Sequence, residues 1–240
     1  MLVKGFPQFL PEDNLTFRSG VAASPEWKMT ADESYPVLGS SLFDDLDIDP
    51  IVRQSLMQLK AISQQYKITS QSTIPPILTI AEIHDLASFV LHSLLQPPHL
   101  DVPASISECL RDGICTYMFI LHGPTYYSHA AILSTLVVQL QHRLEPLLPQ
   151  NILCQEAQTW FVCMGLVGSI GSEAHEWFSQ QAATLSSRFG IHDWELVKRH
   201  LENVVWLPNM MCEMVFRESW EAIINSQLIT STVGGVNVES

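Results

Sequence analysis

Positive charge is scarce: 12 Lys and Arg stand against 25 Asp and Glu, a formal net charge of −13 over 240 residues. A chain that binds DNA or RNA by itself needs a cationic face to neutralise phosphates. The densest basic group, Lys198-Arg199-His200, is flanked by Glu195 and Glu202, so direct nucleic-acid binding is excluded. Charge of either sign is sparse, 15% against 47% hydrophobic residues, which implies a large buried fraction or an apolar surface that meets a partner. No apolar run reaches the ~20 residues of a membrane span. Pro7, Pro11, Glu12 and Asp13 interrupt the apolar residues near the start, so a signal-peptide core is not expected and the reading is intracellular. The five cysteines, Cys109, Cys115, Cys154, Cys163 and Cys212, are odd in number and form no CxxC pair. That excludes a disulfide framework and a zinc site, and leaves buried thiols in a reducing compartment.

Strand-like alternation is lacking too, and what remains is helical spacing. Residues 1–49 carry Pro7, Pro11, Pro25 and Pro36 without helical periodicity, and are expected to be a largely irregular arm with a few anchored aromatics. Its end, Leu42 to Asp49, alternates acidic and apolar residues. Such a run suits either an activation segment that folds on a coactivator or an acidic lead-in to the next helix, and the lead-in is preferred. Asp49-Pro50 predicts a helix start, followed by Val52, Leu56, Leu59, Ile62 and Tyr66 on one face. Thr79 to Glu82 and Ser105 to Glu108 read as capping boxes. The first opens a stripe of Ile83, Leu86, Val90, Leu91 and Leu94; the second opens Leu110, Ile114, Tyr117, Met118 and Leu121. Another stripe holds Ile132, Leu133, Leu136, Val137, Leu140 and Leu144, with Arg143 on its polar face.

Ala157 to Val167 is apolar on nearly every side, which marks a central helix, and Gly165, Gly168 and Gly171 are expected to close it. Ser172 begins the next helix, ended by Gly190. Asp193 caps one that carries Trp194, Val197, Leu201, Val204 and Val205. The last presents Met211, Met214, Val215, Trp220 and Ile223, with Met210, Met211 and Met214 expected in the core. Residues 227–240 read as a loose tail. The fold class is all-α: a single multi-helix domain over 50–226 with about eight helices.

No constellation for chemistry emerges. Neither HExxH nor paired Glu-x-x-His spacing occurs. Glu82 and His84, like Glu173 and His175, are two apart and face different ways. Gly168-Ser169-Ile170-Gly171 lacks both the GxSxG spacing and the strand of a nucleophile elbow. No glycine-rich loop for a nucleotide is present. Catalytic, cofactor-binding and metal residues are therefore expected to be none, and the protein more a non-enzyme than an enzyme.

The order of features carries a resemblance. Trp160-Phe161-Val162-Cys163-Met164-Gly165-Leu166-Val167-Gly168 is followed by Glu176-Trp177-Phe178, Phe189-Gly190-Ile191 and His192-Asp193-Trp194-Glu195. Leu201 to Leu207, Cys212-Glu213 and Phe216 to Glu221 close the block. This ordered set resembles the C-terminal regulatory domain of fungal zinc-cluster transcription factors, over roughly residues 80 to 222. Residues 1–108 contain no cysteine, so the family's six-cysteine DNA-reading module has no counterpart in them.

The resemblance implies a transcription-regulator-like protein that acts through protein contacts and controls a biosynthetic gene cluster of secondary metabolism. It implies the nucleus, with the cytoplasm as alternative. Implied partners are a zinc-cluster DNA-binding factor or a second copy of the chain, with a small-molecule effector left open. Trp160, Trp177, Trp194, Trp206 and Trp220 are expected as structural core. The alternative is a small-molecule-binding or catalytic helical protein derived from such a regulator, with polar groups near Tyr126, Tyr127, His129 and His175.

Overall fold

Asp49 starts the first described helix as its sequence predicts: its carboxylate accepts from the backbone N–H of Ile51 at 2.9 Å and of Val52 at 3.3 Å, satisfying donors the first turn leaves without partners. The computed structural model describes residues 42–43, 46–69, 90–94, 106–122, 127–150, 152–207 and 209–234, the side chains of 64–69, 122, 127–129 and 227–234 excepted. The chain divides into two units, 1–38 and 39–240, and the described residues all lie in the second. The capping box at Thr79 lies outside them, as do Ser105, Tyr126 and the side chains of Tyr127 and His129.

Seven α-helices are described: α1 (Pro50–Thr69), α2 (Ile106–His122), α3 (Tyr127–Leu144), α4 (Gln155–Gly168), α5 (Ala174–Phe189), α6 (Trp194–Val204) and α7 (Met210–Gly234). A 3-10 turn spans Leu148–Gln150 and residues 90–94 are also helical. No strand occurs among the described residues, and the fold is all-α. No described helix is long and apolar enough to cross a membrane. The expected stripes are the buried ones: Val52, Leu56, Leu59 and Ile62 on α1, Leu110, Ile114, Tyr117, Met118 and Leu121 on α2, and Leu136, Val137, Leu140 and Leu144 on α3.

Every residue of α4 from Ala157 to Val167 is buried, and this helix packs against α2, α3, α5, α6 and α7. An all-round apolar helix can satisfy its faces only by sitting in the middle. Gly165 differs from its expected role. It does not close α4 but seats the Phe178 ring of α5, against which a Cβ would stand 1.9 Å away. The turn belongs to Gly171, at φ 82°. At the far end of α5, Gly190 adopts the left-handed conformation, φ 64°, and Ile191 N–H returns to Ser186 O at 2.9 Å.

Two boundaries differ from expectation. Of the acidic lead-in, Phe43 and Ile48 are buried, and the Arg53 guanidinium donates to Phe43 O at 3.3 Å and Leu46 O at 2.9 Å. Ser107 Oγ accepts from Asp49 N–H at 2.8 Å, fastening the lead-in to the start of α2. The compact unit thus takes in residues that composition alone assigns to an arm. At the other end, α7 continues to Gly234, where sequence suggests a loose tail from 227.

Candidate functional site

After α6 the chain extends, and Val205, Trp206 and Leu207 run buried through the aromatic centre. A buried extended peptide must find partners for its backbone groups outside any regular structure. Here three helices supply them. Trp160 Nε1 of α4 donates to Val205 O at 3.0 Å, Ser63 Oγ of α1 donates to Trp206 O, and Tyr117 Oη of α2 accepts from Leu207 N–H at 2.8 Å. Burial holds the Tyr117 phenol protonated, its pKa well above the ordinary value, against the opposing pull of the hydrogen bond from Leu207 N–H. Trp206 stacks on Tyr117 with centroids 5.9 Å apart, and meets Phe216 at 5.1 Å and Trp194 at 6.2 Å edge-on. Four of the five singled-out tryptophans, Trp160, Trp194, Trp206 and Trp220, are buried. Trp177 is half-exposed, because its neighbour Phe178 takes the inward position beside Gly165.

Polar groups that might do chemistry prove to be struts. In the turn after α4, Ser169 Oγ and His175 Nδ1 are 3.1 Å apart, an arrangement that invites a nucleophile–base reading. Both also reach Leu166 O at 3.1 Å. A carbonyl only accepts, so Nδ1 carries the proton and is no base for the serine. The pair closes the C-terminal turn of α4. His200 of α6 meets Thr159 of α4 at 3.2 Å. The threonine hydroxyl donates to Gln155 O at 2.7 Å, so its oxygen accepts from the imidazole. Burial lowers the His200 pKa, against the pull of Glu156, and keeps this strut neutral.

The third meeting joins α2 to α3. Glu108 and Asp112 lie one turn apart on α2, where two carboxylates repel unless a base stands between them. Arg143, expected on a solvated face, is that base: it pairs with Asp112, reaches Glu108 Oε2 at 3.3 Å and donates to Glu108 O at 3.2 Å. Burial pushes Asp112 up to about 7 despite the guanidinium, with Glu108 adding to the rise. Cys109 and Cys115 are buried on the same helix and burial raises both thiols far above the ordinary range, which leaves no thiolate to react. Among the described residues no three His, Cys, Asp or Glu side chains are grouped to hold a metal ion.

The surface offers more. Met210, Met211, Met214 and Val215, at the start of α7, are 69%, 72%, 48% and 40% exposed, where the sequence places the methionines in the core. Asn209 Oδ1 caps this helix, accepting from Met211 N–H at 3.1 Å and Cys212 N–H at 3.2 Å. The opposite face, Cys212, Phe216 and Trp220, is buried, so the methionine strip rides on an anchored element. Lys198 is held by both carboxylate oxygens of Glu213 at 2.9 and 3.0 Å, and Arg217 by Glu195 at 3.2 Å. Four large apolar side chains so close together on the surface mark an interaction site more often than chance exposure does. Their sequence signal is the i, i+3, i+4 spacing of Met211, Met214 and Val215 beside a second stripe with larger side chains. Comparison with known proteins finds no matching family model, no matching curated protein and no matching solved structure.

Proposed function

We propose that the chain is a transcription-regulator-like protein that works through protein–protein contacts, in the setting of a fungal biosynthetic gene cluster. The observation that carries this reading is the convergence of the resemblance's own residues. Trp160, Trp194, Trp206 and Phe216, drawn from three helices and the peptide between them, meet around Tyr117 and the buried Val205–Leu207 peptide. An ordered aromatic set whose members build one centre is a coherent architectural signature. Its polar groups act as struts, and its exposed methionine strip suits contact with another protein. With 25 acidic against 12 basic residues, contact with DNA is assigned to the partner.

Chromatin occupancy of a tagged copy, with identification of co-purifying proteins, tests the proposal. Nuclear enrichment together with a full-length zinc-cluster factor supports it. A cytosolic protein with no chromatin signal and no such partner refutes it and favours the metabolite-binding or catalytic reading.

A further inference from the structure

We propose that the exposed strip of α7 is a docking site for a basic amphipathic helix of another protein. Eight large hydrophobic side chains are exposed among the described residues; Ile51, Val138, Ile152 and Ile170 stand apart from one another in sequence, while Met210, Met211, Met214 and Val215 fall within six positions. On a helix, Met211, Met214 and Val215 are i, i+3 and i+4 neighbours, and Glu218 continues the same row. The surface is therefore an apolar strip that turns acidic one turn further on.

The charges around it select the occupant. Helices α6 and α7 carry Glu195, Glu202, Glu213, Glu218 and Glu221 against Lys198, Arg199 and Arg217. Lys198 is engaged by Glu213, and Arg217 is shared between Glu195 and Glu221 at 3.2 and 4.0 Å. These pairs use three of the five carboxylates and two of the three bases, so the rim is acidic by an excess of two carboxylates. Glu218, at the end of the strip, is exposed. An incoming helix with apolar residues on one face and Lys or Arg along its edges matches both the strip and its rim. A second copy of the chain matches the apolar part but sets one acidic rim and a −13 charge against another, which disfavours that occupant. Methionine suits the role because its unbranched thioether adapts to the side chains it meets. The capped, buried-backed helix holds the strip in place, so docking costs little ordering on this side.

The proposal deepens the regulatory reading and rests on it for its biological setting. The test uses purified components, so it can fail while chromatin association stands, or succeed without it. The probe is a labelled Leu/Lys amphipathic helix of about 18 residues, long enough for helicity, with a composition-matched scramble as control; binding to the full chain is read by fluorescence anisotropy. The amphipathic probe is expected to bind at least about tenfold more tightly than the scramble, and M211Q/M214Q to weaken it about tenfold. E218Q is expected to weaken it about threefold and to flatten its salt dependence. Circular dichroism of the variants is expected to match the parent chain, since the replaced side chains are exposed. Equal binding of probe and scramble, or binding that M211Q/M214Q leaves unchanged, reduces the effect to general attraction to an acidic chain and overturns the proposal. A dimer in sedimentation that M211Q/M214Q dissolves assigns the strip to a second copy and overturns it as well.

Discussion

Gly165→Ala is the most informative single change, because helix propensity and packing predict opposite signs for it. Gly165 lies inside α4, where alanine by propensity alone stabilises by about 1 kcal/mol. The added Cβ, however, stands 1.9, 2.2 and 2.3 Å from three atoms of the Phe178 ring, far inside van der Waals contact. Phe178 is 0% exposed, and Trp177 stands edge-on to its ring at 4.8 Å, so the ring cannot simply swing away. Overpacking of this kind costs up to about 3 kcal/mol, which leaves a net loss of about 2 kcal/mol after the propensity gain. In a chain of this length that is a fall of roughly 4–8 °C in melting temperature. The assay is thermal and urea unfolding of the parent chain, Gly165→Ala, Phe178→Ala and the double variant. Without the Phe178 ring the clash disappears and Gly165→Ala should become neutral or stabilising, a coupling of about 3 kcal/mol in the double-mutant cycle. A Gly165→Ala chain that melts at or above the parent refutes the packing argument. So does an equal cost in both backgrounds.

Trp194→Ala and Trp206→Ala should each destabilise by roughly 3–5 kcal/mol, and the partly exposed Trp177→Ala by less than either, in urea titrations; parent-like melts of the first two defeat the proposed centre. Trp160→Phe should cost more than Trp220→Phe, because Trp160 donates to Val205 O while the Trp220 indole N–H finds no acceptor among the described residues; the reverse order in the same titrations contradicts that assignment. Of the five cysteines, Cys154 alone is half-buried and the other four are buried, and burial raises the Cys154 pKa too. The native chain should therefore show one thiol reacting with Ellman's reagent, more slowly than a free thiol, and the remainder only on unfolding. More than one thiol reacting in the native chain breaks this expectation. Asp112 takes up a proton more readily folded than unfolded, so its contribution is fully present below the ordinary value of 3.8 and is lost as pH rises to about 7. Relative to Asp112→Asn, the parent chain should lose stability across that window in unfolding titrations; a difference that stays flat with pH counts against it.

The legible parts of this fold are those in which one segment decides its own environment. Ala157 to Val167 is apolar all round, so only a central position satisfies it, and it takes that position. Asp193 accepts from Leu196 N–H at 2.7 Å, and Trp194, Val197, Leu201 and Val204 form the buried face of α6, as capping and spacing predict. The parts that escape depend on groups distant in sequence. The Val205–Leu207 peptide is buried only because Ser63, Tyr117 and Trp160 reach it, from 143, 90 and 45 positions away, and no local pattern encodes that meeting. Gly165 reads as a turn because turns and close packing both use glycine, and only the ring opposite tells them apart. Arg143 escapes because its partners stand on another helix.

The methionine strip is the sharpest case. Helix α7 bears two apolar stripes, Met211, Met214 and Val215 on one side and Cys212, Phe216 and Trp220 on the other. Spacing identifies both and ranks neither. Burial favours the stripe that removes more apolar area from water, and a tryptophan with a phenylalanine outweighs two methionines with a valine once helix ends and loops limit the space. The losing stripe stays at the surface, where its apolar area gains nothing from folding. That area can contribute only when something else covers it, and the acidic residues along α6 and α7 make a basic helix the partner best fitted to do so.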